Sequence, residues 1–199
     1  MSKPKIGIIL STTRTGRFAD TVAAWLLEHV ATRGDLEFEV VDLRVYPLPF
    51  FDEPISPLFA PAKNEVAQRW TKKVESFDGY IFVTAEYIHG VPAVLKNAID
   101  YVAHVFAKKP AAYVGYGGVG AARAVEQLRL VNIEQQMAPL KSAVHVGGAD
   151  FVDLYANGMS LAEKPHLVPS VQAMLEELSW WTHALRQARS VDMLTGAAA

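Results

Sequence analysis

Apolar residues follow two kinds of pattern along the chain, and the two kinds alternate. Short continuous apolar runs predict strands buried on both faces, whereas apolar residues three and four positions apart predict amphipathic helices. The predicted strands are residues 6–10, 38–43, 80–83, 111–115 and 143–146. The predicted helices are residues 18–33, 62–76, 92–102, 120–134 and 169–189.

Five alternations of strand and helix predict a single α/β domain over residues 1–199. Parallel strands joined by right-handed crossovers place helices on both faces of the sheet. We expect a flavodoxin-like, doubly wound, five-stranded parallel sheet in the order 2-1-3-4-5. Charged residues in strand 38–43 place that strand near a sheet edge. The switch point of this order lies between strands 1 and 3, where ligands of such sheets bind.

The segments between these elements differ in character. Residues 44–61 hold five prolines and predict a long loop that is either functional or covering. Residues 147–167 are expected to be irregular, with a turn at Asn157-Gly158. Gly34 is the predicted C-cap of the first helix, and the tail at 191–199 is expected to fray.

Composition limits the possible partners. The chain has 199 residues, 51% of them hydrophobic and 20% charged, with a formal net charge of −2, so nothing indicates binding to nucleic acid or to an anionic membrane. The lack of cysteine excludes disulfides and thiolate metal sites. The six histidines form no metal-binding motif. Without a signal peptide or a bilayer-length apolar run, we expect a cytoplasmic protein.

The loop after the first strand, residues 11–17, is rich in groups that bind phosphate. Hydroxyls supply donors, two arginines supply forked charge, and Gly16 lets the backbone approach closely. The next helix begins here with free N–H groups. The expected ligands of a phosphomonoester are the side chains of Thr12, Arg14 and Arg17 and the amides around Phe18 and Ala19. The NTPase loop pattern is missing, and the alternative is a capped helix with surface arginines.

The segment after the fourth strand, residues 115–120, matches G-x-G-x-x-G. A dinucleotide fingerprint follows the first strand and has an acidic residue at the end of the next strand, whereas Glu134 lies in or just after a helix. We therefore expect a loop with little side chain, whose amides face one edge of a planar ring. The alternative is a tight structural turn.

A third segment, residues 84–101, starts at the end of a buried strand and enters a helix through Pro92. It presents aromatic and polar groups at the carboxyl edge of the sheet, where ligands bind in this fold class. His89 is a candidate ligand contact. Glu86 is either a general base or an ion-pair partner, and burial near the loop arginines is the commoner outcome for such a residue.

Three segments together resemble the NADPH-dependent FMN reductase family, a flavodoxin-like group that includes bacterial quinone, chromate and azo-dye reductases. The family's first loop, Gly-Ser-x-Arg-x-Gly-Ser/Arg, corresponds to residues 11–17. Its Pro-Glu-Tyr-Asn segment, followed after a proline by Leu-Lys-Asn-Ala-Ile/Leu-Asp, corresponds to residues 85–100. Its Gly-rich turn and Ala-Arg-Ala helix start correspond to residues 115–124. The resemblance extends to about Val146.

The resemblance implies an enzyme that binds FMN non-covalently. The phosphate would be held by Thr12, Arg14, Arg17, Phe18 and Ala19. The isoalloxazine ring would be lined by Ala85, Glu86, Tyr87, Ile88, Gly115, Tyr116, Gly117 and Gly118. NADPH or NADH would pass a hydride to the flavin, and the flavin would reduce a quinone, an azo or nitro compound, a metal oxyanion or free flavin. No side chain is needed as catalyst. The family implies a homodimer or homotetramer.

Two departures from the family pattern affect the ring end of this site. Ala85 replaces the family proline, and Ile88 replaces the family asparagine. These changes would alter the flavin potential, weaken FMN binding, or mark a relative with a different electron acceptor. The alternative function is a flavodoxin-like electron carrier, or a redox-responsive binding module with little turnover, in which residues 44–61 form the partner surface.

Overall fold

A five-stranded parallel sheet lies at the centre of the protein. The computed structural model describes residues 2–195. The strand order is β2-β1-β3-β4-β5, and every neighbouring pair is parallel. The strands are β1 (Lys5–Leu10), β2 (Glu37–Asp42), β3 (Gly79–Ala85), β4 (Pro110–Tyr116) and β5 (Ala138–Val146). The predicted flavodoxin-like order is therefore confirmed.

Six helices accompany the sheet in the described part of the chain. They are α1 (Ala19–Val30), α2 (Glu65–Glu75), α3 (Ala93–Asp100), α4 (Ala122–Glu134), α5 (Gly148–Ala156) and α6 (Val168–Thr195). Across residues 2–195, no helix combines the length and the apolar character needed to cross a bilayer. The end of the predicted frayed tail, residues 196–199, lies outside the described residues.

Strand side chains alternate between two apolar cores, one on each face of the sheet. Ile8 faces the core closed by α1, α5 and α6, whereas its neighbour Ile9 faces the core closed by α2, α3 and α4. Every residue of β3 and β4 is buried. The edge strand β2 is mostly half-exposed, as its charges predicted. Because helices cover both faces of the sheet, ligands can reach the sheet at the loops that follow the strand ends.

Two element boundaries differ from the prediction. Helix α1 ends at Val30 with the right-handed residue Ala31 as its cap, so the C-cap predicted at Gly34 is wrong. Strand β5 begins at Ala138, well before its predicted start. The first half of β5 was not predicted because it lacks the continuous apolar run of a fully buried strand. The strand lies at the sheet edge, and its exposed Lys141 interrupts that run.

The prediction that residues 147–167 are irregular is also wrong. The segment contains α5 and two 3-10 turns, Leu161–Glu163 and Pro165–Leu167. Phe151, Leu154 and Tyr155 have the i, i+3, i+4 spacing of a helix face. This short helical pattern is flanked by glycine and asparagine, which are typical of turns, and these residues led to the prediction of an irregular segment.

The proline-rich loop at 44–61 lies against α3. Asn97 donates from Nδ2 to the carbonyl of Pro49 (2.7 Å) and accepts at Oδ1 from the amide of Phe51 (2.9 Å). The loop is irregular after the 3-10 turn Leu43–Val45, as predicted. It leaves Phe50 and Phe59 more than 80% exposed, so its apolar side chains are only partly used in the core.

Candidate functional site

A cleft of about 330 Å³ opens at the carboxyl ends of β1, β3 and β4, the edge at which the switch point was predicted. Nine of the predicted cofactor-binding residues line it: Arg14, Arg17, Phe18, Ala85, Glu86, Tyr87, Tyr116, Gly117 and Gly118. Gly16 and two side chains of α5 complete the lining. Three loops that are far apart in the chain thus form one site.

The other four predicted residues do not line the cleft. Thr12 and Ala19 are fully buried beneath the first loop. Gly115 lies within β4, where an added Cβ would be 2.2 Å from the carbonyl oxygen of Gly120, so a side chain is excluded by packing. Ile88 is fully exposed at the tip of the loop after β3.

The loop after β1 is held by an internal ion-pair cluster around Arg17. Its guanidinium pairs with both oxygens of Asp42 (2.8 Å each), with Asp20 (2.6 Å from Nη2 and 3.0 Å from Nε) and with the carbonyl of Thr12. These five bonds use the five N–H donors of an arginine. Arg17, whose side chain is 1% exposed, therefore shapes the loop and has no donor left for a ligand.

The charge state of this cluster is stable at neutral pH. Burial alone would raise the pKa of Asp42, but hydrogen bonds from Arg17 and Arg44 lower that pKa to about 2. For Arg17, burial lowers the pKa, and the bonds to the two carboxylates outweigh that effect and raise it. The Asp42 carboxylate and the Arg17 guanidinium are thus ionised together.

The start of α1 has the features of an anion site. No side chain caps its first turn, so the helix presents amides and the positive end of its dipole. Ser11 Oγ is buried and, among the described residues, has no hydrogen-bond partner. Arg14 lines the cleft and is exposed. An orphaned hydroxyl, a free helix start and an exposed guanidinium fit a phosphate group.

The loops after β1 and β4 are joined by a buried hydrogen bond. Thr12 Oγ1 lies 3.1 Å from the hydroxyl of Tyr116. Burial raises the pKa of Tyr116 to about 12, although the bond with Thr12 acts in the opposite direction. The phenol therefore stays protonated at neutral pH, and the two loops keep a fixed separation.

Glu86 is an ion-pair partner at the ring end of the cleft. It accepts from Arg123 Nε at 2.6 Å and from the amides of Arg123 and Ala124 at 3.1 and 3.3 Å. Burial would raise the pKa of Glu86, but these bonds lower it below its ordinary value. The expected pairing with the loop arginines is wrong, since the partner is at the start of α4. An ionised, fully paired carboxylate fits the role of an anchor better than that of a base.

The loop after β3 turns back sharply at Ile88. Tyr87 and Gly90 form an isolated antiparallel bridge, and the two residues between them have positive φ, 46° at Ile88 and 64° at His89. Asparagine tolerates this left-handed region, whereas a β-branched residue is strained in it. The family asparagine therefore suits the backbone here, and Ile88 does not. His89 Nε2 lies 2.6 Å from Arg123 Nη1, outside the cleft lining.

The loop after β4 gives the cleft a floor with little side chain. A Cβ added to Gly117 or Gly118 would meet no atom within 4 Å. Ala85 and Tyr116 are register partners at the ends of β3 and β4, so the ring-end loops leave the sheet side by side. This floor leaves room for a flat group.

Two residues of the lining were not predicted. Phe151 and Tyr155 project from α5 and stack on each other with ring centroids 5.3 Å apart. Phe18 packs edge-on against Phe151 at 5.4 Å. The helical spacing of residues 151, 154 and 155 was the signal that could have revealed them. The sequence predicted Arg123 only as part of a helix start. Nothing in its local sequence indicates that it anchors Glu86.

Comparison with known proteins gives the same family as the motifs. The sequence profile of the NADPH-dependent FMN reductases matches residues 4–151. The chain is 35% identical over 145 residues to an NAD(P)H-dependent FMN reductase of Schizosaccharomyces pombe, covering 71% of this chain and 72% of that protein. It is 29% identical over 186 residues to a quinone reductase of Pseudomonas putida, covering 88% and 93%.

The fold agrees with that of solved flavoenzymes. The NAD(P)H:acceptor oxidoreductase FerB from Paracoccus denitrificans superimposes with a TM-score of 0.68 at 24% identity, covering 91% of this chain and 98% of FerB. At that identity the likeness establishes the fold alone, whereas the profile match covers most of the chain and includes all three loops of the cleft. The chain belongs to the NADPH-dependent FMN reductase family.

Proposed function

We propose that this protein holds FMN in the cleft at the ends of β1, β3 and β4 and uses NADPH or NADH to reduce a small acceptor. The acceptor class is a quinone, an azo or nitro compound, a metal oxyanion or free flavin. One observation carries the proposal: a single cleft has an uncapped helix start at one end and a glycine floor at the other. A phosphate joined to a planar ring matches both ends.

At the phosphate end, the free donors do the binding. Ser11 Oγ, the first amides of α1 and the guanidinium of Arg14 would take the phosphate oxygens. Arg17 contributes as a positioning residue, because its own donors are already used. Thr12 ties the loop to Tyr116, which keeps the two halves of the cleft together.

At the ring end, backbone and aromatic groups line the cleft. The amides of Gly117 and Gly118 would face the edge of the ring, and Tyr87 would lie beside it. Arg14 lies over the ring of Tyr87 at 6.0 Å, which links the two ends. FMN, when bound, supplies the hydride chemistry, so these residues need only bind, orient and exclude water.

The names of relatives support a small-molecule acceptor. They include quinone reductases and a 2-hydroxy-1,4-benzoquinone reductase. We further propose that the chain is one cytoplasmic domain that assembles as a homodimer or homotetramer. Exposed Phe50, Ile55, Leu58 and Phe59 in the proline-rich loop supply apolar surface for such assembly. Light scattering of the purified protein would give the oligomer size.

The FMN site is tested by filling the glycine floor. Gly118 has open space around an added Cβ and a φ outside the left-handed region, so Gly118→Val should fold normally while its side chain enters the cleft. We expect the FMN dissociation constant, measured by flavin fluorescence, to rise about tenfold or more, and NADPH oxidation at limiting FMN to fall with it.

The matched control is Gly34→Val, since Gly34 also has open space but lies away from the cleft. It should bind FMN as the wild type does. The proposal is overturned if wild-type protein purifies without flavin and cannot be reconstituted, or if Gly118→Val binds FMN with unchanged affinity.

A further inference from the structure

An aromatic wall, made of Phe18, Phe151 and Tyr155, borders the phosphate end of the cleft. Phe151 and Tyr155 are nearly parallel, with an interplanar angle of 19°. Phe18 meets Phe151 at 85° and Tyr155 at 69°, with centroids 5.4 and 6.4 Å apart. The three rings therefore support one another as a preformed surface.

Helix α5, which carries Phe151 and Tyr155, is held in place by contacts between charged and polar side chains. Lys164 Nζ lies 2.5 Å from Asp153 Oδ2 and 3.4 Å from Asp150 Oδ1, and His166 Nε2 lies 2.7 Å from Asp150 Oδ2. Leu154 anchors the same helix in the apolar core. The position of Tyr155 is thus fixed before any ligand arrives.

Tyr155 is the open end of this wall. It is 62% exposed although it lines the cleft, so its outer face is available to a ligand. It also lies beyond residue 151, where the match to the family profile ends.

We propose that the outer face of Tyr155 is the binding site for the adenine ring of the nicotinamide dinucleotide. The proposal rests on the proposed function, since it places the donor in the same cleft as the flavin. The nicotinamide end of the donor belongs at the ring end of the cleft, beside Tyr87 and Gly117. The adenine end then extends toward the wall, whose three rings line the same cleft.

The chemistry of the wall favours a nucleobase. A purine stacks on a tyrosine face whatever its substituents, and such a contact is sequence-independent and strong enough to affect affinity. An FMN-loaded enzyme already has its flavin, so the donor is the reactant that brings an adenine to the cleft. A wall that only shielded the flavin phosphate would not leave one face of Tyr155 open to water.

The test compares donors with and without adenine on FMN-loaded protein. The variants are Tyr155→Leu, which removes the ring, and Tyr155→Phe, which keeps it. Calorimetry measures the dissociation constants of NADP⁺ and of nicotinamide mononucleotide, and steady-state rates give KM for the two reduced forms. Tyr155→Leu should weaken NADP⁺ binding and raise KM for NADPH about tenfold, with no change for the mononucleotide. Tyr155→Phe should behave as the wild type.

Val152→Ala is the matched control, because Val152 is a half-exposed residue of α5 outside the cleft lining. It should leave both ligands unaffected. The inference is overturned if Tyr155→Leu binds NADP⁺ as tightly as the wild type, or if it weakens both ligands equally, which would make the wall a support for the flavin. A wild-type protein that holds no FMN and oxidises neither donor would instead overturn the proposed function itself.

Discussion

The loops after β1 and β3 are both held in position by ionic contacts, but the residues that make these contacts differ. The first is fixed by the pairs of Arg17 with Asp20 and Asp42, the second by the pair of Glu86 with Arg123, and each exposes a different residue. In the first loop, Arg17 is the fixed group and Arg14 the exposed one. In the second, Glu86 is fixed by Arg123 and Ile88 is exposed. In each loop, the residue that holds the backbone in place is therefore not the residue that is most exposed.

The two anchors differ in burial. The side chain of Arg17 is 1% exposed, whereas that of Arg123 is 45% exposed. A charge that is sheltered from water is costly to leave unpaired, while an exposed one is readily solvated. The first loop is therefore part of the stability of the domain, and the second can be altered with less effect on folding. Two substitutions, each with a control, test this difference, and a third tests the exposed residue of the second loop.

The largest effect is expected for Arg17→Met. The change removes the buried guanidinium from Asp42 and Asp20 and leaves them only the exposed Arg44, so we expect the free energy of unfolding to fall by about 3 kcal/mol. Urea denaturation at pH 7 measures this. The FMN dissociation constant should also rise, because the loop loses the bond from Arg17 to the carbonyl of Thr12.

Arg44→Met is the control for that experiment. Arg44 contacts the same two carboxylates, with Nη2 2.8 Å from Asp42 and 3.4 Å from Asp20, but its side chain is 46% exposed. This substitution should lower the free energy of unfolding by less than about 1 kcal/mol. Equal losses in the two variants would show that burial does not distinguish these pairs, and the comparison of the loops would fail.

A smaller effect is expected for Arg123→Met. Glu86 keeps its two backbone amide donors, so the free energy of unfolding should fall by about 1.5 kcal/mol at pH 7. The lowered pKa of Glu86 means that the pair stabilises the fold above the ordinary glutamate pKa and is lost as pH falls through the lowered folded value. The variant should therefore lose less stability than the wild type on acidification from pH 7 to this range.

Lys96→Met removes an exposed i, i+4 pair with Asp100 and serves as the comparison for Arg123→Met. The substitution should lower the free energy of unfolding by about 0.5 kcal/mol or less. Thermal melts at neutral and acidic pH measure both variants. An Arg123→Met protein with the acid sensitivity of the wild type would mean that Glu86 is held by its amide donors alone.

The sheet order could be predicted because it depends on the patterns of single segments. Each strand has its own apolar run, and the loops after strands 1 and 3 were placed at one edge by topology alone. Nine of the predicted residues do line the cleft. The composition of the first loop indicated Arg14, Arg17 and Phe18, whereas the residues after β3 and β4 were predicted from the resemblance to the family.

The partners of those residues could not be predicted in the same way. Arg17 was expected to bind phosphate, since its type suits that task, but Asp42 is 25 residues away in sequence and takes its donors. The pair between Glu86 and Arg123 spans 37 residues. Such contacts depend on which strand ends are adjacent and on exact side-chain reach. The aromatic wall was missed for the additional reason that α5 is only nine residues long.

Apart from the controls, the smallest effect, and the only stabilising one, is expected at the tip of the second loop. Ile88 holds a φ of 46° with no burial to compensate for it, so its strain is not offset by contacts within the described protein. Ile88→Asn should raise the free energy of unfolding by roughly 0.5–1 kcal/mol, because asparagine tolerates the left-handed region. Ile55→Asn, at another exposed isoleucine whose φ is not positive, should change it little. If both variants have the wild-type melting temperature, the turn carries no strain. If Ile88→Asn is destabilised, the isoleucine makes a contact that the isolated chain does not contain, and the exposed group of the second loop would then belong to an interface rather than to the rim of the cleft.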